Sequence, residues 1–192
     1  MPRFDAVIFD MDGTLIEQRV DFASIRRELG ISDGVGILEA LAEMPDDLQR
    51  KASEVLLAYE LRAAEDAKLK DGASLVLQRI ADAHLPTALL TRNAQEVMEM
   101  ILRRFDLRFD IAWSRSAGGV KPAPDGVLRA CAELGVSPDR TACVGDFHYD
   151  ILAAQQAGAV SILLADAEMP DFADEADYVI SRLAELLDIL EL

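Results

Sequence analysis

Two aspartates, one residue apart, follow the first apolar run of the chain. Asp10 and Asp12 come directly after Ala6 to Phe9, a run without polar alternation that is typical of a strand buried on both faces. In an open parallel sheet the carboxyl ends of the strands form the ligand crevice, so both carboxylates are expected to face a site. A turn at Asp12 and Gly13 explains only the second acid. A charge at the end of an apolar strand is costly without a partner, and Mg²⁺ is a natural partner for carboxylates.

Further apolar runs predict the sheet that would position these acids. Segments with helical spacing lie between the runs, and strands alternating with helices imply an α/β fold with a doubly wound parallel sheet. The predicted strands after the first are Thr87 to Leu90, Ile111 to Trp113, Ala142 to Val144 and Val160 to Leu164.

The interval from Ile16 to Lys70 interrupts this alternation. It contains no convincing strand, only helical patterns: Phe22 to Leu29, Ile37 to Ala42 and a long segment that begins at Pro45. An ordinary crossover helix needs far fewer residues. We therefore predict a catalytic core of residues 1–15 and 71–192, with a small all-helical cap inserted at 16–70.

Four motifs in order resemble those of the haloacid dehalogenase superfamily of phosphatases. Its D-x-D-G-T signature is matched from Asp10, its strand-end Thr or Ser by Thr91, its K-P-x-P-D segment from Lys121, and its G-D-x-x-x-D segment by Gly145 to Asp150. The position of the inserted helices resembles that of the phosphoglycolate phosphatase branch. The resemblance implies a Rossmann-like core.

The resemblance also implies a Mg²⁺ site and a covalent mechanism. Mg²⁺ would be held by the Asp10 carboxylate, the Asp12 backbone carbonyl and Asp146, with Asp150 as a direct or supporting ligand. Asp10 would attack phosphorus to give an aspartyl-phosphate. Asp12, with its pKa raised by a neighbouring carboxylate, would protonate the leaving group and later deprotonate water.

Other polar residues complete the predicted site. Lys121 would offset negative charge, and the Thr91 hydroxyl would donate to phosphoryl oxygens. Arg92 and Asn93 are candidates for substrate binding. Arg92 is otherwise a solvated surface residue, and Asn93 is otherwise the cap of a helix that starts at Ala94. His148 is interpreted as a loop residue facing solvent, with assistance near the metal as the alternative.

These residues predict a Mg²⁺-dependent phosphatase that hydrolyses a small phosphomonoester. A phosphomutase of the same superfamily would use the same aspartyl-phosphate and return the group to a sugar. A non-enzymatic phosphate-sensing or interaction module is the alternative from another class. Two observations argue against this alternative. A receiver domain has no cap, and an interaction protein would be free to lose a motif residue, whereas all four motifs are present in this chain.

Charge and hydropathy limit the partners. The 35 acidic against 19 basic residues give a net charge of −16, which disfavours nucleic acid and requires any phosphate site to be built locally. No apolar run approaches the ~20 residues of a membrane span. We expect a cytoplasmic monomer or homodimer that acts on a small phosphorylated metabolite, with no membrane partner.

Overall fold

The first apolar run forms the centre of a parallel sheet. The computed structural model describes residues 4–165 and 169–192, so residues 1–3 and 166–168 of the predicted core lie outside the described part. Within it, the strands are β1 (Ala6–Phe9), β2 (Ile16–Glu17), β3 (Lys68–Leu69), β4 (Thr87–Leu90), β5 (Ile111–Trp113), β6 (Thr141–Gly145), β7 (Val160–Leu164) and β8 (Tyr178–Ile180). The helices are α1 (Phe22–Leu29), α2 (Ile37–Ala42), α3 (Asp46–Glu65), α4 (Ala73–Asp82), α5 (Gln95–Arg104), α6 (Asp125–Leu134), α7 (His148–Ala157) and α8 (Leu186–Leu190).

The main sheet has the order β5-β4-β1-β6-β7-β8, and its neighbouring strands are all parallel. After β5 the chain crosses to the other side of β1, which creates a switch in strand order between β1 and β6. This confirms the predicted doubly wound α/β sheet. The edge strand β8 was not predicted, because three residues, one of them exposed, carry too little apolar pattern.

The two faces of the sheet bury separate apolar clusters. Val7 and Phe9 point to one face, where α4, α5 and α8 pack, and Ile8 points to the other, where α6 and α7 pack. This alternation follows from the pleat of a strand. Helices on both faces explain why β1 reads as a continuous apolar run.

The segment between β1 and α4 contains the three helices predicted there, with the predicted bounds for α1 and α2. The expectation that this segment contains no strand is wrong, because two short strands lie at its ends. Strands β2 and β3 pair antiparallel, with Ile16 opposite Leu69 and Glu17 opposite Lys68. Two-residue strands are too short to show a period, so only the structure reveals that the two ends of this segment lie side by side.

Helix α3 contributes to two apolar clusters. Its Ala52 and Leu56 pack with Ile25, Ile37 and Leu41 of the preceding helices. Near its end, Ala64 is buried in the main core, where α3 lies against α5. The division of the chain at residues 15/16 and 70/71 stays a prediction. No helix in the described ranges is both long enough and apolar enough to cross a membrane.

Candidate active site

Polar side chains follow three adjacent strands at the same edge of the sheet. Asp10 follows β1, Thr91 follows β4 and Asp146 follows β6. Because β1 lies between β4 and β6 and all three are parallel, their carboxyl ends meet. The switch in strand order between β1 and β6 is the place where open α/β sheets bind ligands.

Lys121 lies between two of the predicted acids. Its Nζ is 2.5 Å from Asp10 Oδ1 and 2.6 Å from Asp150 Oδ1, and all three side chains are almost fully buried. Burial alone would lower the pKa of Lys121, but the two carboxylates outweigh it and raise that pKa above its ordinary value. Lys121 is therefore a fixed positive charge beside Asp10.

Asp10, Asp146 and Asp150 form a carboxylate cluster. Each offers one oxygen atom, and these atoms lie within 4.8 Å of one another. Burial, together with the charge of Asp150, raises the pKa of Asp10 to about 6, although Lys121 opposes the rise. Burial, together with the charges of Asp10 and Asp150, raises the pKa of Asp146 to about 7. Buried oxygen donors with excess negative charge are the set that a hard divalent cation requires.

Two glycines give these carboxylates their space. A Cβ at Gly13 would overlap the Asp146 carboxylate, and Gly13 also has a φ of +80°, a region that other residues rarely adopt. A Cβ at Gly145 would overlap the carboxylate of Asp150. The cluster therefore depends on residues without side chains as well as on the acids.

Asp12 is held by two neutral amides. Asn93 Nδ2 donates to its Oδ2, and Gln18 Nε2 donates to its Oδ1. Burial, and next the charge of Asp10, raises the pKa of Asp12 well above its ordinary value, with the Asn93 hydrogen bond opposing the rise. Gln18 was missed by the sequence analysis, because no motif marks it. Its Oε1 is buried without a hydrogen-bond partner in the described residues.

Asn93 serves this contact rather than a helix end. The alternative that Asn93 caps a helix starting at Ala94 is wrong: α5 starts at Gln95, and its cap residue Ala94 makes no side-chain cap bond. Asn93 instead donates to Thr91 Oγ1 from its backbone N at 3.1 Å and from its Nδ2 at 3.2 Å. Because Thr91 Oγ1 accepts in both bonds, its own hydroxyl proton remains available to a ligand.

Arg92 joins the site to the inserted helices. Its Nη2 lies 2.7 Å from Oε1 of Glu39 on α2, and its Nη1 donates to the backbone carbonyl of Lys121. The guanidinium also lies 4.5 Å from the centre of the Tyr149 ring. The interpretation of Arg92 as a merely solvated residue is therefore wrong, while its binding of substrate stays a prediction.

A buried ion pair supports the loop that carries Arg92. Glu60 on α3 is only 4% exposed, and its Oε1 lies 2.5 Å from Arg115 Nη1, which also donates to the carbonyl of Arg92 at 3.1 Å. Burial raises the pKa of Glu60, and Arg115 opposes this rise. No sequence pattern predicts this pair, whose members are 55 residues apart.

His148 differs from its predicted setting. It is the first residue of α7, its Nε2 lies 2.8 Å from Glu175 Oε2, and its ring stacks on Phe172 at 4.6 Å. The expectation that His148 lies in a loop is therefore wrong, although its side chain remains 33% exposed. Its described contacts are with Glu175 and Phe172, and none of them joins it to the carboxylate cluster.

Comparisons with known proteins agree with this geometry. Residues 4–158 match the family model for haloacid dehalogenase-like hydrolases. A haloacid dehalogenase-like hydrolase domain-containing protein of Arabidopsis thaliana is 28% identical over 98% of this chain and 84% of that protein. A phosphoglycolate phosphatase of Chromobacterium violaceum is 26% identical over 97% of this chain and 96% of that enzyme. The crystal structure of a predicted phosphoglycolate phosphatase from Haemophilus somnus has the same fold, with a TM-score of 0.79 and 21% identity over 98% of this chain and 99% of that one.

Proposed function

Because this chain belongs to the haloacid dehalogenase-like hydrolases, we propose that it is a Mg²⁺-dependent phosphatase acting on a small phosphomonoester through an aspartyl-phosphate on Asp10. One observation carries the proposal: Asp10 Oδ1 lies 2.5 Å from the Lys121 ammonium, inside a cluster of three carboxylates at the switch in strand order. Two relatives that align with this chain over nearly their whole length are named as phosphatases, which supports the same reaction type.

The donor set suits a divalent cation. The Asp10, Asp146 and Asp150 carboxylates would hold Mg²⁺, together with the Asp12 backbone carbonyl. Bound there, Mg²⁺ would offset phosphate charge and stabilise the charge that develops during phosphoryl transfer.

The protein's own groups account for the first step. Asp10 attacks phosphorus with one carboxylate oxygen, forming a P–O bond as the bond to the ester oxygen breaks. Lys121 neutralises charge beside Asp10, and the Thr91 hydroxyl donates to a phosphoryl oxygen. Asp12, whose raised pKa favours its acid form, gives its proton to the leaving alkoxide.

The second step reverses the role of Asp12. The Asp12 carboxylate, held by the amides of Asn93 and Gln18, removes a proton from a water molecule. The resulting hydroxide attacks the phosphorus of the aspartyl-phosphate, forming a P–O bond as the bond from phosphorus to the Asp10 oxygen breaks. Inorganic phosphate leaves, and both aspartates return to their starting states.

A substrate panel tests the proposal. The purified full-length chain is assayed for phosphate release from phosphorylated sugars, hydroxy acids and nucleosides, with Mg²⁺ or with a chelator. Release that requires Mg²⁺ is the expected result. Isomerisation of a sugar phosphate without release would instead identify a phosphomutase. No turnover of any ester by the folded protein would contradict the enzymatic proposal.

A further inference from the structure

A group of aromatic side chains lies beside the carboxylate cluster. Phe147 directly follows Asp146 and is 54% exposed. Its ring makes edge-to-face contacts with Tyr149, at 5.1 Å and 84°, and with Phe172, at 6.3 Å and 70°. A large apolar ring next to a candidate metal ligand is therefore accessible to solvent.

The other rings of this group already have stacked partners. The Arg92 guanidinium covers Tyr149 at 4.5 Å, and His148 stacks on Phe172 at 4.6 Å with an angle of 18°. In the described part of the chain, no ring or guanidinium stacks on Phe147. Its two edge-to-face contacts fix the ring's orientation while leaving surface that a planar ligand can cover.

The group is connected to both sides of the site. At one end, Phe147 is bonded to Asp146 of the carboxylate cluster. At the other end, the Arg92 guanidinium lies over the Tyr149 ring. The chain neighbours of Arg92, Thr91 and Asn93, belong to the site. Phe147 therefore belongs to a group of rings that extends from a residue of the carboxylate cluster to Arg92.

The cations around the site are already engaged. Arg92 pairs with Glu39, Arg115 with Glu60, and Lys121 with two aspartates. Lys70 Nζ donates to the backbone carbonyl of Gly13 at 2.6 Å. A second acidic group on the substrate would have to displace one of these pairs in a strongly acidic protein. Arg19 is the alternative receptor for such a group, because it is exposed, follows Gln18 and has no ion pair within the described residues.

From this arrangement we propose that the substrate's leaving group carries a planar aromatic ring, without a second acidic group, and that the ring stacks on Phe147. The inference rests on the proposed phosphatase function and specifies its substrate class. Aryl rings and nucleobases share this chemistry, and the experiment distinguishes them.

Matched phosphate esters test the ring. Benzyl phosphate and cyclohexylmethyl phosphate are both primary alkyl esters of similar size, but only the first has a planar aromatic ring. Adenosine 5′-monophosphate and ribose 5-phosphate form a second pair, with and without a base. In the pair that resembles the natural substrate, we expect KM to be about 3- to 10-fold lower for the ester with the aromatic ring than for its partner.

Variants assign the preference to Phe147. In Phe147→Ala the KM values of the two esters of the pair should become equal, whereas in Phe147→Trp the aromatic ester should keep its lower KM. Leu128→Ala, which shortens an exposed apolar side chain on α6, is the control and should leave the ratio unchanged. KM does not depend on the enzyme concentration, so a partial loss of folded enzyme leaves this ratio of KM values unchanged.

Several outcomes would overturn the inference. These are equal KM values within both pairs for the unaltered chain, or a ratio that survives in Phe147→Ala. A lower KM for 2-phosphoglycolate than for benzyl phosphate, lost in Arg19→Ala, would assign the site to an acidic leaving group. Calorimetry measures the binding of benzylphosphonate, which should weaken in Phe147→Ala. Because binding needs no turnover, this measurement tests the stacking on Phe147 separately from the phosphatase proposal.

Discussion

Asp10 and Asp12 differ in what holds their carboxylates. Asp10 lies against a cation, Lys121, which favours an ionised oxygen that can attack. Asp12 lies against two neutral amides, and burial raises its pKa, so it can both carry and accept a proton. Environment, rather than residue type, thus suggests nucleophile and acid–base roles for two aspartates of the same motif.

Asp10→Asn is expected to remove hydrolysis. The amide keeps the size of the side chain but is not a nucleophile, so turnover should fall by at least about 10³-fold. Phosphate release is measured beside circular dichroism, which should remain that of the unaltered protein. Wild-type turnover in this variant would rule out the aspartyl-phosphate.

Asp12→Asn should affect substrates according to their leaving group. An alkoxide needs a proton and a nitrophenolate does not, so loss should be about 10²- to 10⁴-fold for an alkyl phosphate and smaller for nitrophenyl phosphate. The kcat values of the two esters are compared in the same preparation. Equal losses would indicate that Asp12 mainly serves the metal.

At the scale of elements, α3 joins the inserted helices to the core. Besides burying Ala64, its end accepts hydrogen bonds from Arg104 of α5 at the carbonyls of Ala64, at 2.6 Å, and Glu65, at 2.5 Å. Replacing residues 16–70 with a linker would therefore open the core as well as remove the predicted cap. An experiment on substrate selection should keep α3 and alter α1 and α2.

Glu60→Ala tests the attachment of α3. The change leaves Arg115 largely buried without its carboxylate and should reduce the free energy of unfolding by about 3 to 5 kcal/mol. Glu54→Ala, at an exposed position of the same helix, should change it by less than about 0.5 kcal/mol. Urea denaturation measures both variants, and equal stabilities would show that the pair does not hold the helix.

At the scale of the whole molecule, negative charge dominates. The net charge of −16 adds to the repulsion among the three clustered carboxylates. Lys121 offsets part of this charge beside Asp10, yet burial and the neighbouring carboxylates keep the pKa values of Asp10 and Asp146 raised. A divalent cation that binds the folded chain should therefore stabilise the whole protein.

Mg²⁺ is expected to raise Tm. At a concentration of about 100 Kd, the added stability is about 2.7 kcal/mol, which corresponds to about 5 to 10 °C for a chain of this size. Differential scanning fluorimetry measures the shift, with NaCl at equal ionic strength as the control. Asp146→Asn should reduce the shift, and an unchanged Tm in the original protein would contradict the predicted metal site.

The sequence alone determined five strands of the parallel sheet, the helices of the inserted segment and the residues at the strand ends. These features are local, because apolar runs define strands and a residue that follows a parallel strand must lie at the edge of the sheet. Asp10, Thr91 and Asp146 could therefore be placed at the same edge of the sheet without coordinates, whereas the order β4-β1-β6 that makes them neighbours came from the structure.

Only the tertiary structure decided which distant side chains meet there. The Glu60–Arg115 pair, the contact of Gln18 with Asp12 and the Glu39–Arg92 bridge join residues whose spacing shows no pattern. The pairing of β2 with β3 is equally invisible, because two residues cannot establish a period. Such contacts depend on how α2 and α3 pack against the core, and packing is a property of the assembled chain rather than of any segment.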